Sequence, residues 1–229
     1  MHPVRYYAGR RGLTKQARGE RTQAGYLARG DADLSVVVLH ESYGLFSPLS
    51  NVPEVCDRLA AAGFQSLAPD LYDGRTAATV DESLHLMAEL QEADALASVK
   101  EAAKDLLDKG ARRLAVLGFC MGGVLSFISA VELDEFAGAV VFYGTPRRPP
   151  QLLKIPVLAH YALHDAFVSV DEVRRIESEL VKAEKRFAFW YYDGEHGFMN
   201  SKIMAYSPTN ADLAWQRTLA FLHQVGRST

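Results

Sequence analysis

Cysteine is scarce in this chain, and its charges nearly cancel. The two cysteines, Cys56 and Cys120, form no C-x-x-C pair, so the sequence predicts neither a zinc site nor a dithiol redox motif. A net charge of −3 creates no field that would attract a polyanion, and we expect no nucleic-acid partner. The first residues lack the apolar segment of a signal peptide, which predicts a cytoplasmic protein without a structural disulfide.

The rest of the composition is typical of a globular protein, with a hydrophobic fraction of 48% and a charged fraction of 23%. A length of 229 residues suits one α/β domain. Residues 1–22 start with a basic, turn-rich stretch and are predicted to form an N-terminal arm or an edge segment. Residues 23–229 contain no internal repeat or linker and are predicted to form the single domain.

Strand-like and helix-like segments alternate through this domain. The predicted strands cover residues 23–28, 34–39, 64–68, 113–117, 137–143, 157–162 and 187–192. The predicted helices cover residues 53–62, 79–109 with a break near Ala93, 122–131, 169–183 and 212–225. Alternation of this kind predicts a mostly parallel central sheet with helices on both faces.

One stretch, Gly118-Phe-Cys-Met-Gly-Gly123, has the layout of a nucleophile elbow. In that motif a reactive side chain stands on a sharp turn between a strand and a helix, and flanking glycines leave room for the turn. The better-known form of the motif carries serine, whereas this chain carries Cys120. The spacing predicts a hydrolase with a cysteine nucleophile.

Two other interpretations of this region compete with the elbow. The 18 residues from Leu114 to Val131 contain no charged side chain, and this is about the length of a membrane-spanning helix. Glycine and serine near the middle of the run favour a strand, a turn and a helix instead, so we expect no membrane partner. The other alternative is that Cys120 is an inert core cysteine, as Cys56 is predicted to be.

Functional residues of open α/β sheets gather at the carboxyl ends of the strands. Cys120, Asp165 and His196 each follow a predicted strand, in the nucleophile, acid and base order of α/β-hydrolases. A thiol with a pKa of about 8.5 needs a base to become a nucleophile at neutral pH, and His196 is predicted to be that base. Asp165 is predicted to orient the imidazole, with Asp193 as the alternative acid.

Further groups are predicted at the same edge of the sheet. Glu41 directly follows a buried strand, so its carboxylate is expected to project into the cleft that holds Cys120. The backbone N–H groups of Met121 and Ser42 are predicted to form an oxyanion hole. The other histidines near strand ends lack a partner in this pattern and are interpreted as structural.

Together these motifs resemble those of the dienelactone hydrolase family of α/β-hydrolases, also called carboxymethylenebutenolidase-like. The matching landmarks, from about Gln23 to the C-terminus, are His40-Glu41 with Gly44, Pro69-Asp-Leu-Tyr72, Gly118-Phe-Cys-Met-Gly-Gly123, Phe142-Tyr-Gly144, His164-Asp-Ala-Phe-Val168 and Gly194-Glu-His-Gly-Phe198. The resemblance implies an α/β-hydrolase fold and a triad of Cys120, Asp165 and His196. It further implies a small-molecule ester or lactone substrate and no cofactor or metal.

The resemblance also implies roles for individual residues. Glu41 is implied to contact the resting thiol, and substrate binding is implied to redirect it so that the thiol becomes a thiolate. The predicted substrate-binding residues are Tyr43, Tyr143, Phe167, Phe198 and Asn200.

One departure from the family pattern concerns how the substrate is held. Family members that act on dienelactone are expected to hold its carboxylate with arginines, one of them four residues after the catalytic histidine, where this chain has Asn200. The run from Val80 to Leu96 supplies no second arginine, and Arg75 lies in the preceding turn. Because an amide cannot make the charged bidentate contact of a guanidinium, a neutral ester or lactone is expected at least as much as dienelactone.

We therefore predict a hydrolase of ester or lactone bonds that acts through an acyl-thioester intermediate, with a monomer favoured. The alternative is a catalytically weak ligand-binding or sensing module on the same fold, and the missing arginines are the argument for it. A thiol-based redox protein is a third interpretation, which would require folding to bring Cys56 near Cys120.

Overall fold

The computed structural model describes residues 19–227, and one eight-stranded sheet runs through them. Its centre consists of two apolar stretches, Leu34–Leu39 (β3) and Arg113–Phe119 (β5), which pair in parallel. Successive side chains of β3 alternate between two separate cores, with Val37 in one and Val36 in the other. Both faces of the strand are therefore buried, which explains why its sequence is apolar on both sides.

The carboxyl ends of six parallel strands open at one edge of the sheet. The strand order is β1-β2-β4-β3-β5-β6-β7-β8, and among the described strands the only antiparallel pairings are those of β2 with β1 and with β4. The remaining strands are β1 (Glu20–Thr22), β2 (Gly25–Ala28), β4 (Ser66–Pro69), β6 (Gly138–Phe142), β7 (Val157–His164) and β8 (Phe187–Glu195).

Helices cover both faces of this sheet, as the sequence predicted. They are α1 (Val52–Ala61), α2 (Val80–Glu89), α3 (Glu92–Asp108), α4 (Met121–Glu132), α5 (Val170–Lys182) and α6 (Pro208–Arg227). Apolar residues of α3, α4 and α5 pack into the core on one face, and those of α1 and α6 pack into the core on the other. The prediction of a mostly parallel sheet between two helical layers is confirmed.

One long predicted helix is in fact two, α2 and α3. They are separated by Leu90 and Gln91, whose backbones are extended, with ψ of 118° and 130°. The break was predicted slightly too late in the chain, near Ala93. The predicted capping box at the start of α2 is confirmed, because the Thr79 hydroxyl accepts from the Glu82 N–H and the Glu82 carboxylate accepts from the Thr79 N–H.

Other differences concern the ends of elements. Strand β8 continues beyond the predicted end at Tyr192, because its pairing with β7 extends past an irregularity in the register. Helix α6 begins at Pro208 rather than Asp212, since proline is well suited to the first helical position. Residues 1–18 of the predicted N-terminal arm lie outside the described residues, and Glu20–Thr22 forms an edge strand.

The uncharged run from Leu114 to Val131 is divided between β5 and α4 by a turn at Cys120. Both parts are buried in the protein core. Within the described part of the chain, no helix combines the length and the apolar character that crossing a bilayer requires.

Candidate active site

Cys120 stands on the turn between β5 and α4 with a φ of 52° and a ψ of −114°. Such a backbone costs on the order of 1–3 kcal/mol and persists only where its surroundings hold it. The Cys120 N–H donates to the Phe142 carbonyl at 3.0 Å. A Cβ on Gly118 would lie 2.0 Å from the Gly122 oxygen, and one on Gly122 would lie 2.3 Å from the Leu39 oxygen. The glycines therefore permit the close approach of strand and helix that forms the elbow.

Asp165 and His196 follow the two neighbouring strands β7 and β8 and meet at this edge of the sheet. The His196 Nδ1–H donates to Asp165 Oδ2 at 2.8 Å. The other carboxylate oxygen of Asp165 accepts the N–H groups of Phe167 and Val168 at 2.8 and 2.9 Å. With its side chain only 1% exposed, Asp165 is fixed in place and holds the imidazole with Nε2 directed away from it.

Nε2 of His196 is buried and makes no hydrogen bond of standard geometry with any residue in the described range 19–227. Burial by itself lowers the pKa of the imidazole. The hydrogen bond to Asp165 and the interaction with Cys120 outweigh burial and raise the pKa of His196 to about 10. The sulfur of Cys120 thus lies close enough to the imidazole to favour its protonated form.

Glu41 follows β3 and is buried next to this pair. Tyr143 Oη donates to its Oε1 at 2.9 Å, and Asn200 Nδ2 donates to its Oε2 at 2.8 Å. Burial raises the pKa of Glu41, whereas these two hydrogen bonds and the charge of His196 act in the opposite direction. Tyr143 itself has a φ of 41°, so a strained backbone presents its hydroxyl to the carboxylate.

Two predicted contacts are not present in the structure. Glu41 makes no hydrogen bond to Cys120 within residues 19–227, and its two oxygens accept from Tyr143 and Asn200 instead. Asn200 and Phe198 are fully buried and do not line the cavity over Cys120, so we correct their assignment as substrate contacts. Phe198 packs against the ring of Tyr143 instead.

The backbone N–H groups of Ser42 and Met121 have no partner within the described part of the chain. The Met121 N–H belongs to the first turn of α4, where N–H groups have no acceptor in their own helix. Both residues line the cavity that holds Cys120, and the oxyanion hole stays a prediction.

A cavity of about 540 Å³ opens over Cys120. Tyr43, Tyr143 and Phe167 line it, and the ring of Phe167 lies edge-on to His196 with centroids 4.9 Å apart. Most of the apolar lining was not predicted from the sequence. It comes mainly from α2 and α4, namely Val80, Leu84, Met87, Ala88, Val124, Leu125 and Ile128. Their helical spacing was visible in the sequence, but such spacing is also typical of an ordinary core.

Other candidates from the sequence have separate roles. Asp193, the alternative acid, accepts a hydrogen bond from His164 at 2.8 Å on an exposed surface. Arg75 is paired with Glu89 and does not line the cavity. Cys56 is buried in the core on α1, and burial raises its pKa to about 12.

Known proteins resemble this chain over nearly its full length. The sequence model of the dienelactone hydrolase family matches residues 24–226. The chain belongs to the dienelactone hydrolase family. The protein usf of Aquifex pyrophilus is 36% identical to this family member over 201 residues, which cover 82% of this chain and 87% of the relative.

Two further relatives agree with this assignment. A provisionally named carboxymethylenebutenolidase of Aquifex aeolicus (strain VF5) is 35% identical, over 86% of this chain and 91% of the relative. The crystal structure of a provisionally named dienelactone hydrolase from Klebsiella pneumoniae subsp. pneumoniae MGH 78578 has a TM-score of 0.78 and 27% identity, covering 87% of this chain and 92% of that chain. The protein has the predicted α/β-hydrolase fold and is a hydrolase of the dienelactone hydrolase type.

Proposed function

We propose that this protein hydrolyses carboxylic ester or lactone bonds through an acyl-thioester on Cys120, with His196 as acid and base and Asp165 as its orienting partner. One observation carries the proposal. The His196 Nδ1–H is bound to Asp165 at 2.8 Å, which leaves Nε2 free beside a cysteine held on a strained turn in the cavity. This is the arrangement that nucleophilic catalysis requires.

In the first half of the reaction, the Cys120 thiolate attacks the carbonyl carbon of the substrate. The N-terminus of α4 favours negative charge on the sulfur. The carbonyl oxygen becomes an oxyanion, which the free N–H groups of Ser42 and Met121 stabilise, each by on the order of 3 kcal/mol. Collapse of this intermediate forms the thioester and breaks the bond to the alkoxy oxygen. The imidazolium of His196 protonates that oxygen as it leaves.

In the second half, a water molecule attacks the thioester. The sulfur of Cys120 is one of the groups that raise the pKa of His196, and in the thioester it carries no charge. The pKa of the imidazole therefore falls once the enzyme is acylated, and neutral His196 can take a proton from the water. Breaking the C–S bond releases the acid and the thiolate, while the proton taken from the water stays on His196, so the thiolate and imidazolium are restored.

Glu41 lies in this scheme as a buried carboxyl group beside His196, held by Tyr143 and Asn200, and burial raises its pKa. The charge of His196 stabilises the ionised form of Glu41 against the effect of burial. The interaction is mutual, so a carboxylate here supports the charged state of the resting site.

The cavity lining favours a substrate with an apolar body. Asn200, at the position where an arginine would hold the carboxylate of dienelactone, is sealed behind Glu41. A neutral ester or lactone group near Cys120 fits these surroundings, and the name of the Aquifex aeolicus relative refers to a lactone-cleaving activity. A monomer in the cytoplasm, without membrane or nucleic-acid partners, stays our prediction.

Turnover of short aryl esters and of dienelactone tests the proposal in the purified protein and in Cys120→Ala. The wild type is expected to release product and to show a transient acyl mass on Cys120, and the variant is expected to do neither. Cys56→Ala is the matched control and should retain activity. Unchanged turnover in Cys120→Ala would exclude the cysteine mechanism.

Iodoacetamide labelling separates the enzyme from the alternative of a binding module. Rapid, stoichiometric labelling of Cys120, with a pH dependence that is lost in His196→Ala, is expected for the enzyme. A thiol that reacts no faster than free cysteine, together with absent turnover, would favour the binding module.

A further inference from the structure

The cavity is a slot that extends away from Cys120 along α4. Its floor includes Met121, Val124, Leu125 and Ile128 of that helix. From Cys120 to Ile128 the helix rises by about 12 Å. One wall is the segment after β6, in which Tyr143, Thr145 and Arg147 all line the slot. The slot therefore has a reactive end at Cys120 and a distal end near Ile128.

Arg147 lies toward the distal end. The next residue, Arg148, is bound to Glu132, the last residue of α4, and to Glu92, the first residue of α3. These ion pairs fasten the segment beside the carboxyl end of α4, whereas Tyr143 at its other end contacts Glu41 and His196. Arg147, which is exposed, and Cys120 therefore belong to opposite ends of one largely apolar slot.

Arg147 also differs from the other charged side chains of the slot in having no partner. Glu41 is bound by two donors, Glu92 by Arg148, and His196 by Asp165. Neither a hydrogen bond nor an ion pair engages the Arg147 guanidinium within residues 19–227. The Thr145 hydroxyl, between the two ends, likewise has no partner among the described residues.

We propose that Arg147, assisted by Thr145, binds a carboxylate at the distal end of the substrate. The substrate class is then an ester or lactone joined through an apolar chain to a carboxylate, with the two groups on the order of 10 Å apart along the helix rise. This inference rests on the proposed function and adds the chemistry of the substrate to it. A guanidinium offers the bidentate geometry that a carboxylate prefers.

Selectivity for substrates with a carboxylate has to come from direct contact between the carboxylate and Arg147. Glu92 and Glu132 share the single cation Arg148, so this group together with Arg147 carries no net charge. A long-range field would therefore do little to attract an anion. Arg147→Lys should for this reason recover only part of the effect, because an ammonium lacks the planar fork.

The monomethyl and dimethyl esters of octanedioic acid test the inference, since they differ at one end only. In Arg147→Gln, the ratio of kcat/KM for the monoester to kcat/KM for the diester is expected to fall about tenfold, mainly through KM. Arg186→Gln, an exposed arginine outside the slot, is the matched control and should leave the ratio unchanged. A ratio that is equal in wild type and Arg147→Gln would overturn the inference.

Binding measurements keep the inference separate from catalysis. In Cys120→Ala, which cannot form a thioester, the monoester is expected to bind more tightly than the diester, and adding Arg147→Gln should remove the difference. If the protein hydrolyses the diester in a Cys120-dependent way but binds the two esters equally well, the role of Arg147 is overturned and the proposed function stays intact. The difference in binding without any turnover would support Arg147 and contradict the proposed function.

Discussion

Asn200 holds Glu41 from behind the active site. One Nδ2 hydrogen of Asn200 goes to Glu41 Oε2 at 2.8 Å, and the other goes to the Leu49 carbonyl at 2.9 Å. Its Oδ1 accepts the N–H of Lys202 at 2.9 Å, so the orientation of the amide is determined. Asn200 and the Tyr143 hydroxyl thus each donate to one oxygen of the Glu41 carboxylate and fix its position.

Asn200→Ala should destabilise the protein in a pH-dependent way. Without the Asn200 amide, the buried Glu41 carboxylate loses one hydrogen-bond donor and its pKa rises further. The variant therefore destabilises mainly the ionised form of Glu41. The free energy of unfolding is expected to fall by about 2 kcal/mol at pH 8 and by less at pH 5. Urea denaturation measures both values. Asn210→Ala, which removes an exposed bond to a carbonyl, should cost little at either pH.

Asp165→Asn should lower the pKa of His196. In the wild type this pKa is about 10, although burial acts to lower it, because Asp165 and Cys120 favour the imidazolium. Without the carboxylate the value is expected to fall by at least about one unit. NMR titration of the imidazole gives the value directly. Asp193→Asn is the control, and a larger effect there than in Asp165→Asn would mean that Asp193 is the triad acid.

Gly122→Ala should destabilise the elbow. The added Cβ would lie 2.3 Å from the Leu39 oxygen and 2.7 Å from the His40 oxygen, and both are backbone atoms at the end of β3 that cannot easily move. A loss of about 1–3 kcal/mol in unfolding free energy is expected, with reduced activity. Gly226→Ala is the matched control in α6, because its Cβ would find ordinary contact at 3.4 Å from Leu34. Equal stability of the two variants would contradict the packing argument.

His160 should make the fold sensitive to acid. Its ring is buried between the Tyr192 and Thr218 hydroxyls, and burial together with the charge of Arg217 lowers its pKa to about 3. Because this pKa lies below the unfolded value of about 6.5, neutral His160 stabilises the folded protein above pH 6.5. This stability is lost as the pH falls toward 3. By pH 5 the loss attributable to His160 should be about 2 kcal/mol.

The His160→Gln variant tests this prediction by comparison. Its free energy of unfolding should decrease less than that of the wild type between pH 7 and pH 5, as measured by urea denaturation at each pH. His223→Gln alters an exposed histidine on α6 and should keep the wild-type pH dependence. The prediction is wrong if the pH dependence of His160→Gln is indistinguishable from that of the wild type.

The local features of this protein could be predicted from its sequence. Alternating strand and helix periods, the glycines around Cys120 and the capping box at Thr79 all depend on residues close together in the chain. The positions of Asp165 and His196 after strands were also predictable, because parallel strands present their carboxyl ends at one edge. These signals determined the fold and brought the three residues to the same place.

Only the tertiary structure decided how the site is completed. The partners of Glu41 are 102 and 159 positions away, so no local pattern links them to it. The slot depends on how α2 lies over α4, and Arg147 enters it because Arg148 is tied to the ends of two other helices. Such contacts cannot be predicted from the separation of the residues in the sequence, because the packing of helices and strands brings them together. The position of Cys120 on its turn could therefore be predicted from the sequence, whereas the lining and the charges of the cavity beside it depend on the tertiary fold.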